Sequence, residues 1–147
     1  MIVVDTSAIL AYMNSADTHH AEVSSWLDAE VDDLVTTPLI VAEADHLVTA
    51  RGGRAASSAF RADLAAGAYL VEWWRGAITE AVAIAERYAD SGLGLADASL
   101  VALAQHVGTA SIATLDERHF RAVVPLSGET AFRLLPNLIS IGLHRAR

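Results

Sequence analysis

Short apolar runs that alternate with helix-like segments constrain the fold of this chain most strongly. Residues 2–4 are all β-branched and stop at Asp5, and the similar run 111–114 is soon followed by Asp116. Such runs predict buried strands, and strands that alternate with helices predict a parallel sheet. Because the carboxyl ends of parallel strands share one edge, we expect both acids at the edge where ligands bind. Taken alone, Asp5 has an equally good structural interpretation, as a cap of the following helix.

The remaining sequence continues the alternation. Further strands are predicted at residues 34–37, 69–72 and 131–135, and helices at 8–13, from about 18 through Leu27, and at 38–48, 55–66, 77–89 and 95–104. In the first helix Thr6 or Ser7 is a suitable cap, and Gly52 with Gly53 predicts a break between the helices at 38–48 and 55–66. The order predicts an α/β protein, and 147 residues suit one domain.

The composition excludes several classes of chemistry. The chain has no cysteine, and all ten basic residues are arginine, so thiolate sites, a P-loop lysine and a Schiff-base lysine are absent. A net charge of −8 argues against broad affinity for nucleic acid. It does not argue against a site where metal ions carry the positive charge. No apolar stretch has the length of a membrane span and no signal peptide precedes the first strand, so we expect a cytoplasmic protein.

Two further acids lie in helix-like segments. Glu43 stands four residues after Leu39 and four before Leu47, which predicts a carboxylate on the apolar stripe, buried or facing a cleft. In isolation, a functional role and a surface accident explain Glu43 comparably well. Asp97 lies in the first turn of an apolar helix, where the helix dipole favours an acid. If these two converge with Asp5 and Asp116, they repel one another unless cations neutralise them, and hard oxygen ligands favour Mg²⁺ or Mn²⁺.

The chain resembles the PIN-domain ribonucleases, specifically the VapC-like toxins of bacterial toxin–antitoxin pairs. The resemblance runs from Met1 to about Pro136 and rests on four stretches: VVDTSAIL with Asp5, VAEADHLV with Glu43, YADSGLGLADASLVALA with Asp97 and IATLDERHF with Asp116. It implies a three-layer α/β/α sandwich with a short central parallel sheet. The PIN-like nuclease domain then covers residues 1–136, and residues 137–147 form a C-terminal tail.

The resemblance also implies an activity and a set of partners. It implies a Mg²⁺-dependent endoribonuclease, with Mn²⁺ as substitute, that acts as a toxin and hydrolyses structured RNA (tRNA or rRNA) to 5′-phosphate and 3′-hydroxyl ends. The expected partners are the RNA substrate, a cognate antitoxin and a second copy in a homodimer, without a membrane. The four acids become catalytic residues, with Asp5 and Asp97 as the main metal ligands. Thr6 and Thr114 are expected to orient the acids by hydrogen bonds.

Competing interpretations of the acids stay open on the sequence alone. A phosphatase of the haloacid-dehalogenase type also begins with a strand ending in Asp, but it needs a second Asp where this chain has Ser7, and normally a lysine. The four acids are also consistent with a non-catalytic partner-binding PIN-like module and with a DNA-directed nuclease. The sequence assigns no role to the following residues: Trp73, Trp74, Arg51, Arg54 and Arg61.

Overall fold

The computed structural model describes residues 1–137 and places a parallel sheet at the centre of the molecule. Within this range the sheet has five strands: β1 (Ile2–Val4), β2 (Leu34–Thr36), β3 (Leu70–Val71), β4 (Ser111–Ala113) and β5 (Arg133–Leu135). Their order is β3-β2-β1-β4-β5, and every neighbouring pair is parallel. Val3 of the central strand pairs with Val35 on one side and Ile112 on the other. The predicted α/β class is confirmed, because the β-branched runs form the buried centre of the sheet.

Helices cover both faces of the sheet. They are α1 (Thr6–Met13), α2 (His20–Ala29), α3 (Pro38–Ala65), α4 (Ala77–Arg87), α5 (Leu95–Val107) and α6 (Glu117–Arg121), with a 3₁₀ turn at Ala89–Ser91. Helix α1 packs against α2 and α3, and α4 packs against α5. The chain moves outward from β1 to β3 and then returns across the sheet to β4. Because parallel strands are joined by right-handed crossovers as a rule, this reversal of direction puts the two groups of helices on opposite faces. The structure is the predicted α/β/α sandwich.

Several predicted boundaries need correction. Helix α1 begins at Thr6 rather than at residue 8, because Asp5 is the N-cap and the two hydroxyl residues lie inside the helix. The predicted break at Gly52 and Gly53 is confirmed, because Gly53 takes a non-helical conformation with φ of 71° and kinks α3 into two helical parts. Helix α4 ends at Arg87 rather than residue 89, and the five-residue α6 was not predicted.

The core includes buried residues of α1, α3 and the sheet, and α5 is its most deeply buried helix. Every residue from Ala98 to Ala104 is buried, which explains why this helix is apolar all round. The hydroxyl groups of Thr37 and Ser99 are 2.8 Å apart and connect the start of α3 to the first turns of α5. Within residues 1–137, none of the helices combines the length and apolarity that crossing a bilayer demands. Most of the predicted tail, residues 138–147, lies outside the described range, so the domain boundary stays a prediction.

Candidate active site

Asp5 lies at the carboxyl end of the central strand. Its side chain is almost completely buried, and its backbone N–H donates to the carbonyl of Ala113 at 2.9 Å. Its Oδ1 accepts a hydrogen bond from the backbone N–H of Thr6 at 2.7 Å, so Asp5 does cap α1. Capping engages only this one oxygen of the carboxylate. The structural and functional interpretations of Asp5 are therefore compatible.

The second oxygen of Asp5 is held by two hydroxyl groups. Ser7 Oγ and Thr114 Oγ1 each donate to Asp5 Oδ2 at 2.8 Å. These hydroxyls accept in turn from the backbone N–H groups of Leu115 at 2.9 Å and Asp116 at 3.0 Å. Burial raises the pKa of Asp5, and the three hydrogen bonds to its carboxylate oppose that rise. The carboxylate is thus fixed by neutral donors that leave its negative charge uncompensated.

Asp97 lies in the first turn of α5, which faces the same edge of the sheet. Burial raises its pKa to about 6, the negative charge of Asp5 adds to the rise, and Glu43 and Asp116 contribute further. The neighbouring imidazole of His119 opposes the rise. Three of the predicted acids therefore act on the ionisation of the fourth, and the fold brings all four into one region.

Glu43 corrects part of the prediction. It is exposed rather than buried, because the buried stripe of α3 consists of Ile40, Ala44 and Val48, and one residue of offset turns a side chain by roughly 100°. Its Oε2 nevertheless accepts a hydrogen bond from Thr6 Oγ1. Glu43 therefore faces the site from its rim.

Asp116 and His119 form the outer side of the site. Asp116 occupies the N-cap position of α6 without a side-chain capping bond, and its side chain is 46% exposed. The Nδ1 atom of His119 lies 3.1 Å from Asp97 Oδ2 and also 3.1 Å from Asp116 Oδ2. Sequence reasoning assigned no role to this histidine. Its separation of three residues from Asp116, within a short helix, is the signal that could have found it.

Ser7 is the second functional side chain that sequence reasoning missed. The sequence suggests only a helix cap for Ser7, whereas its hydroxyl donates to Asp5. Both threonine predictions are confirmed, since Thr6 donates to Glu43 and Thr114 donates to Asp5.

The donor set matches a hard divalent cation in its chemistry. Carboxylate oxygens are the preferred ligands of Mg²⁺. Within residues 1–137 the arginine ion pairs form elsewhere, between Arg61 and Asp45 and between Arg121 and Glu117, and His119 is the one basic side chain paired with an acid of the site. The same part of the chain contains no three acidic or histidine side chains already spaced to hold a metal ion. The charge and donor atoms of these residues therefore suit a divalent cation. The side chains would have to move closer together to coordinate it.

Two of the unassigned groups have structural partners. The indole of Trp74 stacks on His106 at 4.2 Å between ring centroids and donates from Nε1 to Glu80 at 3.0 Å. Arg61 binds Asp45 through two hydrogen bonds of 2.8 and 2.7 Å. Packing and ion pairing therefore account for these two side chains, whereas Trp73, Arg51 and Arg54 are exposed.

The parallel sheet and the four acids gathered at its carboxyl edge define a class of protein, the PIN domain, and the PIN-domain family model matches residues 2–124. The chain is 43% identical over 128 residues to Ribonuclease VapC26 of Mycobacterium tuberculosis, an alignment that covers 86% of this chain and 95% of that protein. The chain therefore belongs to the VapC-like toxin family of PIN-domain proteins, as the sequence motifs predicted.

Two solved structures share the fold. VapC20 of M. tuberculosis, described as a sarcin–ricin loop cleaving toxin, aligns with a TM-score of 0.71 at 22% identity and covers 76% of this chain and 87% of its own. FitAcB of Neisseria gonorrhoeae aligns with a TM-score of 0.59 at 21% identity and covers 82% and 91%. At these identities both support the architecture alone.

Proposed function

We propose that this protein is a metal-dependent endoribonuclease that acts as the toxin of a toxin–antitoxin pair. One observation carries the proposal: burial and the negative charges of Asp5, Glu43 and Asp116 together raise the pKa of Asp97 to about 6. A fold that gathers like charges without an arginine partner loses stability through that arrangement, and a divalent cation supplies the missing charge. The 43% identity to a protein named as a ribonuclease supports RNA as the substrate.

In this proposal Asp5 and Asp97 are the main ligands of Mg²⁺, with Mn²⁺ as substitute, and Glu43 and Asp116 complete the site directly or through water. A bound divalent cation lowers the pKa of water and neutralises charge on a phosphate. Ser7 and Thr114 keep Asp5 in place through their 2.8 Å hydrogen bonds. Water rather than the ribose 2′-hydroxyl is the nucleophile, so the products carry a 5′-phosphate and a 3′-hydroxyl.

We further propose that the substrate is a structured RNA, tRNA or rRNA, cut at an unpaired position. RNA-binding proteins that recognise sequence mostly contact splayed bases in single-stranded loops. The exposed side chains of Glu43 and Asp116 leave the rim of the site open, and an open rim suits a loop that enters from solvent.

A single digestion experiment tests the activity. Purified protein is incubated with total cellular RNA in Mn²⁺ or in EDTA, and new 5′-phosphate ends are mapped by sequencing. Asp97→Asn is the inactive variant, and Asp90→Asn, which changes an exposed acid of the 3₁₀ turn, is its matched control. We expect discrete ends that require both Mn²⁺ and Asp97 and that persist in the Asp90 variant. Ends bearing 2′,3′-cyclic phosphate contradict the mechanism, and parallel digestion of DNA distinguishes a DNA-directed nuclease.

The proposed protein partners are a cognate antitoxin and a second copy of the chain. The acidic edge of the sheet is suited to an arginine side chain of a bound peptide, and copurification with the product of the adjacent gene tests this. Ile78 and Val82 lie one turn apart on α4 and are each 44% exposed, which makes them the first surface to test for self-association. Light scattering of the wild type and of Val82→Glu measures the dimer, and a monomeric wild type contradicts it.

A further inference from the structure

We propose that His119 is a positioning residue that fixes the carboxylates of Asp97 and Asp116 at the site; its consequence for cation binding rests on the proposed metal-dependent function. The imidazole Nδ1 lies 3.1 Å from one oxygen of each acid. The two acids come from different elements, α5 and the N-cap of α6. A single ring atom therefore connects two parts of the chain that are 22 and 3 residues from it in sequence.

The two acids lack the support that Asp5 has. Asp5 accepts three hydrogen bonds from neutral donors. Within the described residues, His119 is the side-chain partner that Asp97 and Asp116 share. The side chain of Asp116 is 46% exposed, so without the imidazole its carboxylate turns freely into water. His119 thus holds the carboxylates of these two acids in place, as Ser7 and Thr114 hold the carboxylate of Asp5.

His119 contacts only one oxygen of each acid, Oδ2 of Asp97 and Oδ2 of Asp116. Within residues 1–137 the Oδ1 atom of each acid has no side-chain partner, so it can serve as a ligand of a cation. Hydrogen bonds to ligating carboxylates orient them, and loss of such partners typically lowers metal affinity by roughly 10- to 100-fold. We therefore expect the loss of His119 to weaken cation binding, even when no RNA is present.

Three substitutions at His119 isolate the Nδ1 contact. The side-chain amide nitrogen of Asn occupies a position close to Nδ1, whereas that of Gln reaches toward Nε2. We expect His119→Asn to bind Mn²⁺ within about threefold of the wild type, and His119→Gln and His119→Ala to bind it roughly 10- to 100-fold more weakly. Titration calorimetry measures the affinity. His46→Ala, at an exposed position of α3, is the matched control and leaves the affinity unchanged.

A metal-free measurement separates positioning from the proposed activity. In EDTA, the carboxyl ¹³C resonances of Asp97 and Asp116 are expected to shift together in His119→Ala and to stay in place in His46→Ala. Unchanged resonances in a folded His119→Ala protein overturn the proposal, as does an Asn variant that binds Mn²⁺ as weakly as the Ala variant. If the wild type binds no Mn²⁺ while both resonances shift, positioning stands and the proposed metal-dependent function fails.

Discussion

Asp97→Asn should stabilise the metal-free protein while it removes cation binding. The pKa of Asp97 is raised from 3.8 to about 6, and each pKa unit corresponds to about 1.4 kcal/mol. The full conversion gives about 3 kcal/mol against the charged form. Because the side chain is 20% exposed and salt screens part of the repulsion, we expect about 1–2 kcal/mol at neutral pH. For a chain of this size that corresponds to a rise in Tm of roughly 3–6 °C.

The direction with pH follows from linkage. Folding raises the pKa of Asp97, so the ionised carboxylate destabilises the folded state relative to the unfolded chain. This cost is absent below the ordinary pKa of 3.8, grows as the pH rises toward the folded-state pKa of about 6, and is complete above it. The gain in the free energy of unfolding of Asp97→Asn over the wild type should therefore be absent below pH 3.8 and complete at about pH 7.5. Asp90→Asn is the control and should show no such gain.

The assay is thermal unfolding followed by circular dichroism in EDTA and in Mn²⁺. A ligand at about 100 times its Kd stabilises the folded state by about 2.7 kcal/mol, which exceeds the expected gain of the variant. The wild type should therefore become the more stable protein in saturating Mn²⁺. An Asn variant that is no more stable in EDTA at neutral pH, or whose advantage persists below pH 3.8, refutes the electrostatic reasoning.

Three further substitutions test packing and hydrogen bonding. Thr114→Val removes a buried donor to Asp5 and the acceptor for the Asp116 backbone N–H. We expect it to lower the free energy of unfolding, measured in urea, by about 1–3 kcal/mol. An unchanged urea midpoint contradicts the role of this hydroxyl. Gly108→Ala forces a side chain onto φ of 71° at the end of α5, and the strain should cost about 1–2 kcal/mol in the same assay although the surrounding space is open. Phe60→Ala empties a fully buried position and should cost about 3–5 kcal/mol, with a midpoint near that of the wild type as the contradicting result.

The sequence predicted the fold well where periodicity and burial agree. The apolar runs at β1 and β4 are completely buried, and each becomes a strand of the parallel sheet. Boundaries were less accurate where hydrogen bonding decides them. The sequence left Asp5, Thr6 and Ser7 as candidate caps of α1, and the structure uses Asp5. A residue's preference for a cap does not determine which of several neighbouring candidates is used.

The sequence predicted which acids belong to the site, but not their burial or the contacts that link them. Glu43 was assigned to the correct helix, yet its degree of burial depends on a rotation of about 100° that two flanking leucines do not determine. The link from His119 to Asp97 joins elements 22 residues apart. No spacing rule covers that separation, because it depends on how α6 is placed against the start of α5.

Three of the four acids of the site also have a local reason to be where they are, which is why single residues are weak evidence of function. Asp5 caps α1, Asp97 stands in the first turn of α5, and Asp116 is the N-cap residue of α6. Helix starts favour negative charge, so three helices that begin at one edge of a sheet can bring three acids together at small local cost. Burial, together with the charges of the other acids, raises the pKa of Asp97. Helix-start preferences do not explain why a half-buried carboxylate stands among other carboxylates, and this arrangement is the physical reason to expect a cation at this edge.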